Sequence, residues 1–234
     1  MRVEPHDVGS ILHITQRGVR GMDIVRDVYD SERFMRSLFY LNDTYATSRW
    51  YETTTASFAR PAPWPVREPV VRVLAWTLLP NHFHILLQEL TEGGTAKFMQ
   101  RLGGSMSACF NAKYSEKGSL FQGSYHARAV TQDEHHRYLA FYILVKNVLE
   151  MYPGGLAAAA RDFDKAWEWA KKYQYSSFRG TISGVASPII DDPDELMKSI
   201  LGSGDAYKQE AKELLAVHME AHGNDFSDLM LEPW

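Results

Sequence analysis

Two apolar, β-prone runs separated by a single turn constrain the fold of this chain more than any other feature. They cover residues 70–79 and 82–87, and the dipeptide Pro80-Asn81 between them is typical of a turn. An antiparallel hairpin is the simplest structure for this pattern. Because both runs are strongly apolar, we expect the hairpin to lie in the centre of a sheet.

The rest of the chain predicts a mixture of strands and helices. Residues 11–15 alternate and are rich in branched side chains, so they predict an opening strand, and residues 118–130 predict a turn followed by a strand. Apolar residues at helical spacing predict helices over residues 30–43, 95–114, 133–151 and 157–172.

Two segments differ in composition from the rest. Residues 44–69 are rich in Thr, Ser and Pro, which predicts a long surface loop. Residues 181–234 hold 3 Lys and Arg against 11 Asp and Glu, a net charge of −8, whereas residues 1–180 hold 22 against 18, a net charge of +4. We therefore predict a main domain over residues 1–180 and an acidic tail over residues 181–234, with short helices near 193–201 and 205–222.

Composition argues against several classes of protein. No stretch approaches the roughly 18 to 20 consecutive apolar residues that cross a bilayer, and the N-terminus lacks the pattern of a signal peptide. The single cysteine, Cys109, cannot form an internal disulfide. We expect a cytoplasmic protein with no membrane partner. The net charge of −4 argues against nucleic acid, so any DNA affinity must come from clustered cations in the main domain.

The pair His82 and His84 is the sharpest chemical signal in the sequence. Side chains alternate along a strand, so both imidazoles must point to the same face, where they form half of a metal site. The ordinary alternative is two partly buried histidines satisfied by their neighbours. Imidazole binds many divalent metals, so a further, oxygen-bearing ligand is expected from elsewhere in the chain.

A stripe of polar side chains lies on the predicted helix over residues 133–151. His135, Tyr138, Tyr142 and Lys146 follow at steps of three, four and four residues, which places them on one helical face. A tyrosine hydroxyl can attack phosphorus when a metal polarises the phosphate. The ordinary alternative is a half-buried tyrosine, since the chain contains 12 of them.

Four motifs follow one another over about 170 residues: LHITQRGVRGMDIVRD (12–27), VLAWTLLPNHFHILL (73–87), NAKYSEKGSLFQG (111–123) and YSSF (175–178). Together they resemble motifs of the HUH-type single-tyrosine transposases, most closely those of the REP-associated tyrosine transposases. Four ordered matches are far more specific than one His-x-His pair.

The resemblance implies an α+β fold, a ferredoxin-like antiparallel sheet with helices on one face and the histidine pair on a central strand. It implies that Tyr142 is the nucleophile, that His82 and His84 hold Mg or Mn, and that the substrate is single-stranded or hairpin DNA. The implied product is a 5′-phosphotyrosine with a free 3′-hydroxyl. A homodimer is one arrangement open to such a protein.

The chain departs from the family pattern one turn after Tyr142. The family tends to read Y-I-x-x-N-P-v, whereas this chain reads YILVKNV, so the amide position falls on Lys146 and Asn147 comes one residue late. Protonated lysine cannot bind a metal. Either Asn147 takes the role through a shifted helix, or another donor does, or metal binding is impaired.

Charge and position suggest where DNA would bind. The candidate cations are Arg17, Arg20, Lys113, Lys117 and Arg128. For each, ordinary solvated surface is the alternative. Two other functions remain open: a domesticated module that binds hairpin DNA or RNA without cutting it, and a metal hydrolase that uses only the histidine pair.

Overall fold

A four-stranded antiparallel sheet forms the centre of the structure, a computed structural model that describes residues 6–54, 58–130, 133–202 and 204–221. Its strands lie in the order β2-β3-β1-β4, and every neighbouring pair is antiparallel. The strands are β1 (Ile11–Arg17), β2 (Val71–Leu78), β3 (His82–Glu89) and β4 (His126–Ala129).

Two helices connect the strands in the ferredoxin-like manner. Helix α1 (Val28–Tyr40) follows β1, the short α2 (Trp50–Thr53) precedes β2, and α3 (Gly94–Tyr114) joins β3 to β4. The chain therefore runs β-α-β-β-α-β, with the first and third strands in the centre of the sheet. The predicted α+β, ferredoxin-like fold is confirmed.

The predicted hairpin forms, but only one of its strands is central. The turn is closed by the backbone N–H of Leu79, which donates to the carbonyl of His82 at 2.9 Å. The prediction of a central position is confirmed for β3 and wrong for β2, which lies at the edge of the sheet. Residues 175–177 run along that edge, and the N–H of Leu78 donates to the carbonyl of Tyr175 at 3.0 Å. This segment buries the apolar strand without adding a regular fifth one.

Helices cover both faces of the sheet, whereas the resemblance implied helices on one face only. On the first face, α1 and α3 pack on β1, β2 and β3. The second face, which includes Leu74 and Leu86, packs against a helical layer from the C-terminal part of the chain. A bulge between Val73 and Ala75 in β2 aids this packing, because both Leu74 and Ala75 join the second core. The layer comprises α4 (Asp133–Phe141), a π-helical turn (Tyr142–Lys146), α5 (Asn147–Glu150), α6 (Gly155–Arg161) and α7 (Phe163–Ala170).

The acidic tail and the segment 44–69 both contribute to packed regions. After α8 (Phe178–Ser183), helices α9 (Leu196–Leu201) and α10 (Gly204–Ala221) bury apolar side chains in the second core. In the segment predicted as a surface loop, Trp50 is buried and stacks on Tyr40, with ring centroids 5.7 Å apart. The predicted helix over 157–172 is broken into α6 and α7 at Asp162, whose φ of −128° is not helical. No helix in the described parts of the chain is long and apolar enough to span a membrane.

Candidate active site

The histidine pair lies on the second face of the sheet, as the alternation along β3 predicts. Phe83 and Ile85 enter the first core, so His82 and His84 point the other way. Their ring centroids are 5.0 Å apart, and both side chains are buried. Two imidazoles therefore converge on one position beneath the helical layer.

Each histidine of the pair is oriented through its Nδ1 atom. The Nδ1 of His84 lies 3.0 Å from the Nε2 of His13 on β1, and the two rings are stacked. The Nδ1 of His82 lies 2.6 Å from the amide oxygen of Asn81. A hydrogen bond at Nδ1 fixes the orientation of the ring, as is usual for metal-binding histidines. His13 is thus a supporting residue of the pair.

Tyr142 is the tyrosine that the structure places beside the histidine pair. Its ring lies edge-on to His84 with centroids 5.4 Å apart, and its side chain is only 1 % exposed. Tyr138 lies one turn earlier, where its ring packs against Phe141 and burial raises the pKa of its hydroxyl. The side chain of His135, the fourth member of the predicted stripe, lies outside the described residues.

A π-helical turn over Tyr142–Lys146 places one extra residue between the tyrosine and Asn147. The N–H of Asn147 donates to the carbonyl of Tyr142, five residues earlier, where an α-helix would use the fourth residue. The π turn thus contains one residue more than an α-helical turn. Asn147 follows Tyr142 by a single helical turn, although the sequence places it one residue late.

The sheet anchors this turn through Thr77, which is fully buried on β2. Its hydroxyl donates to the carbonyl of Ile143 inside the π turn. Thr77 is also the cross-strand partner of His84, so the hydroxyl comes from the same face as the pair. This contact ties the helix that carries Tyr142 to the strand beside the histidines.

The amide of Asn147 is an unusual buried group. Its side chain is 0 % exposed, and neither Oδ1 nor Nδ2 has a hydrogen-bond partner within the described part of the chain. A buried polar group without a hydrogen-bond partner costs free energy, so its presence requires an explanation. No cluster of three or more His, Cys, Asp or Glu side chains among the described residues could hold a metal ion. A third protein ligand for a metal at the pair would therefore be a donor of another kind.

Two of the five predicted DNA-binding cations share the face of the histidine pair. Arg17 is the cross-strand partner of His82, and Arg128 on β4 is the partner of His13. Arg20 is exposed in the turn after β1, in the left-handed conformation with φ of 56°. Lys117 is also exposed, in the loop after α3.

Lys113 forms ion pairs with two carboxylates of the protein. Its ammonium donates to Asp27 at 2.6 Å and to Asp30 at 2.7 Å. Although desolvation opposes it, these hydrogen bonds raise the pKa of Lys113 above its ordinary value. Lys113 thus joins α3 to the start of α1, and its contact with DNA stays a prediction.

Sequence reasoning missed one histidine on this face. His126 on β4 is the cross-strand partner of Thr15, which in turn pairs with His84. The alternation of His126 and Arg128 is the available signal, but β4 has only four residues, too few for a clear pattern.

Comparisons with known proteins agree with the motifs. The family model described as "Transposase IS200 like" matches residues 66–144. The predicted family resemblance is confirmed. The matched segment includes the histidine pair and Tyr142, and it supports a transposase-like role in DNA binding. No curated protein matches the sequence. A solved structure of a REP-associated tyrosine transposase bound to a REP hairpin aligns with a TM-score of 0.48 and 11 % identity, covering 80 % of this chain and 88 % of that one.

Proposed function

We propose that this protein is a metal-dependent transposase that nicks and joins single-stranded DNA at hairpin-bearing sites through a 5′-phosphotyrosine. The observation that carries the proposal is the contact between Tyr142 and His84, 5.4 Å between ring centroids, within one chain. A nucleophile must stand beside the group that activates the phosphate. This contact supplies that arrangement inside the segment that matches IS200-like transposases.

The residues present fit a divalent metal. His82 and His84 offer two imidazole nitrogens, and the amide oxygen of Asn147, buried without a partner in the described chain, is the candidate third ligand. An imidazole pair and an oxygen donor suit Mn, and an oxygen-rich substrate would extend the set for Mg. When bound, Mg or Mn would polarise the phosphate and offset charge in the transition state.

The proposed reaction exchanges one phosphodiester for another. The hydroxyl oxygen of Tyr142 forms a bond to phosphorus, and the bond from phosphorus to the 3′ oxygen of the upstream nucleotide breaks. The phenolic proton lost from Tyr142 is balanced by the proton that the released 3′-hydroxyl gains. Joining is the reverse reaction with a new 3′-hydroxyl, so no nucleotide cofactor is needed.

The DNA backbone would approach the second face of the sheet from the side of β1 and β4. Arg17 and Arg128 are the proposed phosphate contacts closest to the histidines, because their cross-strand partners are His82 and His13. Arg20 and Lys117 would extend the contact along the exposed loops. These cations position the strand and do not select its sequence.

The test is to incubate the protein with Mn and single-stranded oligonucleotides from the regions that flank its gene. A denaturing gel should show a covalent protein–DNA adduct together with a fragment that ends in a 3′-hydroxyl. Tyr142→Phe and His82→Ala should abolish the adduct, whereas the matched control Tyr138→Phe should keep it. Hairpin binding without an adduct would instead indicate the non-cutting module, and turnover by Tyr142→Phe would indicate a hydrolase.

A further inference from the structure

Lys146 occupies the extra position created by the π turn, and it contacts the proposed nucleophile directly. Its Nζ lies 3.5 Å from the hydroxyl oxygen of Tyr142 and 4.6 Å from the centroid of the same ring. Glu150 holds the ammonium from the other side at 2.7 Å. The lysine is only 7 % exposed, so this contact takes place out of bulk water.

Burying a lysine at this position costs free energy. Removing an ammonium group from water costs free energy, and a buried ion pair often contributes less to stability than an apolar side chain of similar size. A methionine could fill the same volume without that cost. The placement of a cation here is therefore better explained by the oxygen that it touches.

We propose that Lys146 is a catalytic residue whose ammonium stabilises negative charge on the oxygen of Tyr142. The inference rests on the proposed function. Charge develops on this oxygen as Tyr142 attacks phosphorus, and again when the oxygen leaves during joining. A fixed donor aimed at such an oxygen acts most strongly where water is excluded.

The proton balance of the joining step leaves Lys146 unchanged. The incoming 3′ oxygen forms a bond to phosphorus, and the bond from phosphorus to the Tyr142 oxygen breaks with its electron pair on that oxygen. The proton lost by the incoming hydroxyl restores the phenol of Tyr142. Lys146 takes no part in this proton transfer, and Glu150 holds its side chain in place.

The π turn then has two effects within five residues. It places Asn147 one helical turn after Tyr142, and it inserts a cation beside the tyrosine oxygen. Position 146, where the family pattern has an amide, would thus carry a cation, while Asn147 would still supply the amide.

The test measures single-turnover rates of adduct formation and of joining for the full-length protein and its Lys146 variants. Lys146→Met should slow both steps by about 100-fold, the lower end of the range for loss of one donor to a developing oxyanion. Lys146→Arg should recover much of the loss. Lys146→Gln, which carries an amide as the family pattern does at this position, should react as slowly as Lys146→Met and provides a second variant if that one folds poorly.

A fluorinated tyrosine separates chemistry from structure. Replacing Tyr142 by 3,5-difluorotyrosine withdraws electron density from the phenol oxygen, so less charge must be stabilised there. The replacement should speed joining by Lys146→Met far more than joining by the unaltered protein. A lysine that only supports the fold would give the same factor in both. The affinities of Lys146→Met for hairpin DNA and for Mn, measured without turnover, should stay within about threefold of those of the unaltered protein, because a protonated lysine is not a metal ligand.

Equal rates for Lys146→Met and the unaltered protein would overturn the inference and leave the proposed function standing. If the unaltered protein forms no adduct at all, the proposed function fails and the inference fails with it.

Discussion

Replacing Asn147 by leucine should stabilise the metal-free protein and weaken its metal binding. The amide buries two polar atoms, neither of which has a partner in the described chain. An unsatisfied buried group costs about 1–3 kcal/mol, and a slightly larger apolar side chain costs about 1 kcal/mol in packing. The free energy of unfolding in EDTA should therefore rise by up to about 2 kcal/mol, or by up to roughly 8 °C in Tm for a chain of this size.

Asn42 provides a matched control for this substitution. It is equally buried, but its Nδ2 donates to the carbonyl of Val71 at 2.8 Å, and its Oδ1 accepts from the N–H groups of Val70 and Val71. Asn42→Leu leaves these backbone groups without partners and should cost at least about 3 kcal/mol. The two asparagines should thus respond with opposite signs.

Urea denaturation in EDTA measures the stabilities, and calorimetric titration with Mn measures the affinities. Loss of a hydrogen-bonding partner of a metal ligand typically costs about 10- to 100-fold in affinity, and Asn147→Leu, which removes a proposed ligand itself, should show at least this loss. The reasoning is refuted if Asn147→Leu destabilises the metal-free protein, because the amide would then serve the fold. It is also refuted if the Mn affinity is unchanged.

Three further substitutions, one of them with a matched control, test other contacts of the protein. Thr77→Val should lower the free energy of unfolding by about 1–3 kcal/mol because it removes the donor to a carbonyl of the π turn. Thr95→Val, whose buried hydroxyl has no partner in the described chain, should leave it unchanged or raise it in the same urea titration. His13→Gln should weaken Mn binding by about 10- to 100-fold in calorimetry through loss of ring orientation, and an unchanged affinity would contradict its supporting role. The hydrogen bond from Lys113 lowers the pKa of Asp27. This hydrogen bond therefore stabilises the fold at neutral pH, and its contribution disappears as the pH falls below about 4. Lys113→Met should therefore unfold more easily than the unaltered protein at pH 7 in urea, and a gap of the same size at pH 3 would contradict the assignment.

The sequence predicts the parts of this site that depend on local periodicity. Alternation along β3 places His82 and His84 on one face whatever the rest of the chain does. Helical periodicity places Tyr138 and Tyr142 on the same face of their helix, but it does not indicate which of the two tyrosines is the nucleophile. The contact with His84 is the observation that favours Tyr142 as the proposed nucleophile.

The remaining features depend on tertiary structure, which local patterns do not encode. The π turn keeps helical spacing on both sides, so periodicity reveals only that Asn147 stands one residue late. Lys113 meets Asp27 and Asp30 from more than 80 residues away, so the sequence alone does not reveal these ion pairs. His126 enters the site only through the register of β4 on β1.

The position of the covalent bond tests the central claim most directly. The adduct formed with Mn and a short single-stranded oligonucleotide is digested with nuclease and trypsin, and the modified peptide is fragmented in a mass spectrometer. Trypsin releases residues 138–146, so Tyr138 and Tyr142 lie on the same peptide and fragment ions distinguish them. We predict that the nucleotide mass resides on Tyr142. A nucleotide on Tyr138 or on any other residue, or the absence of a modified peptide, would contradict the account.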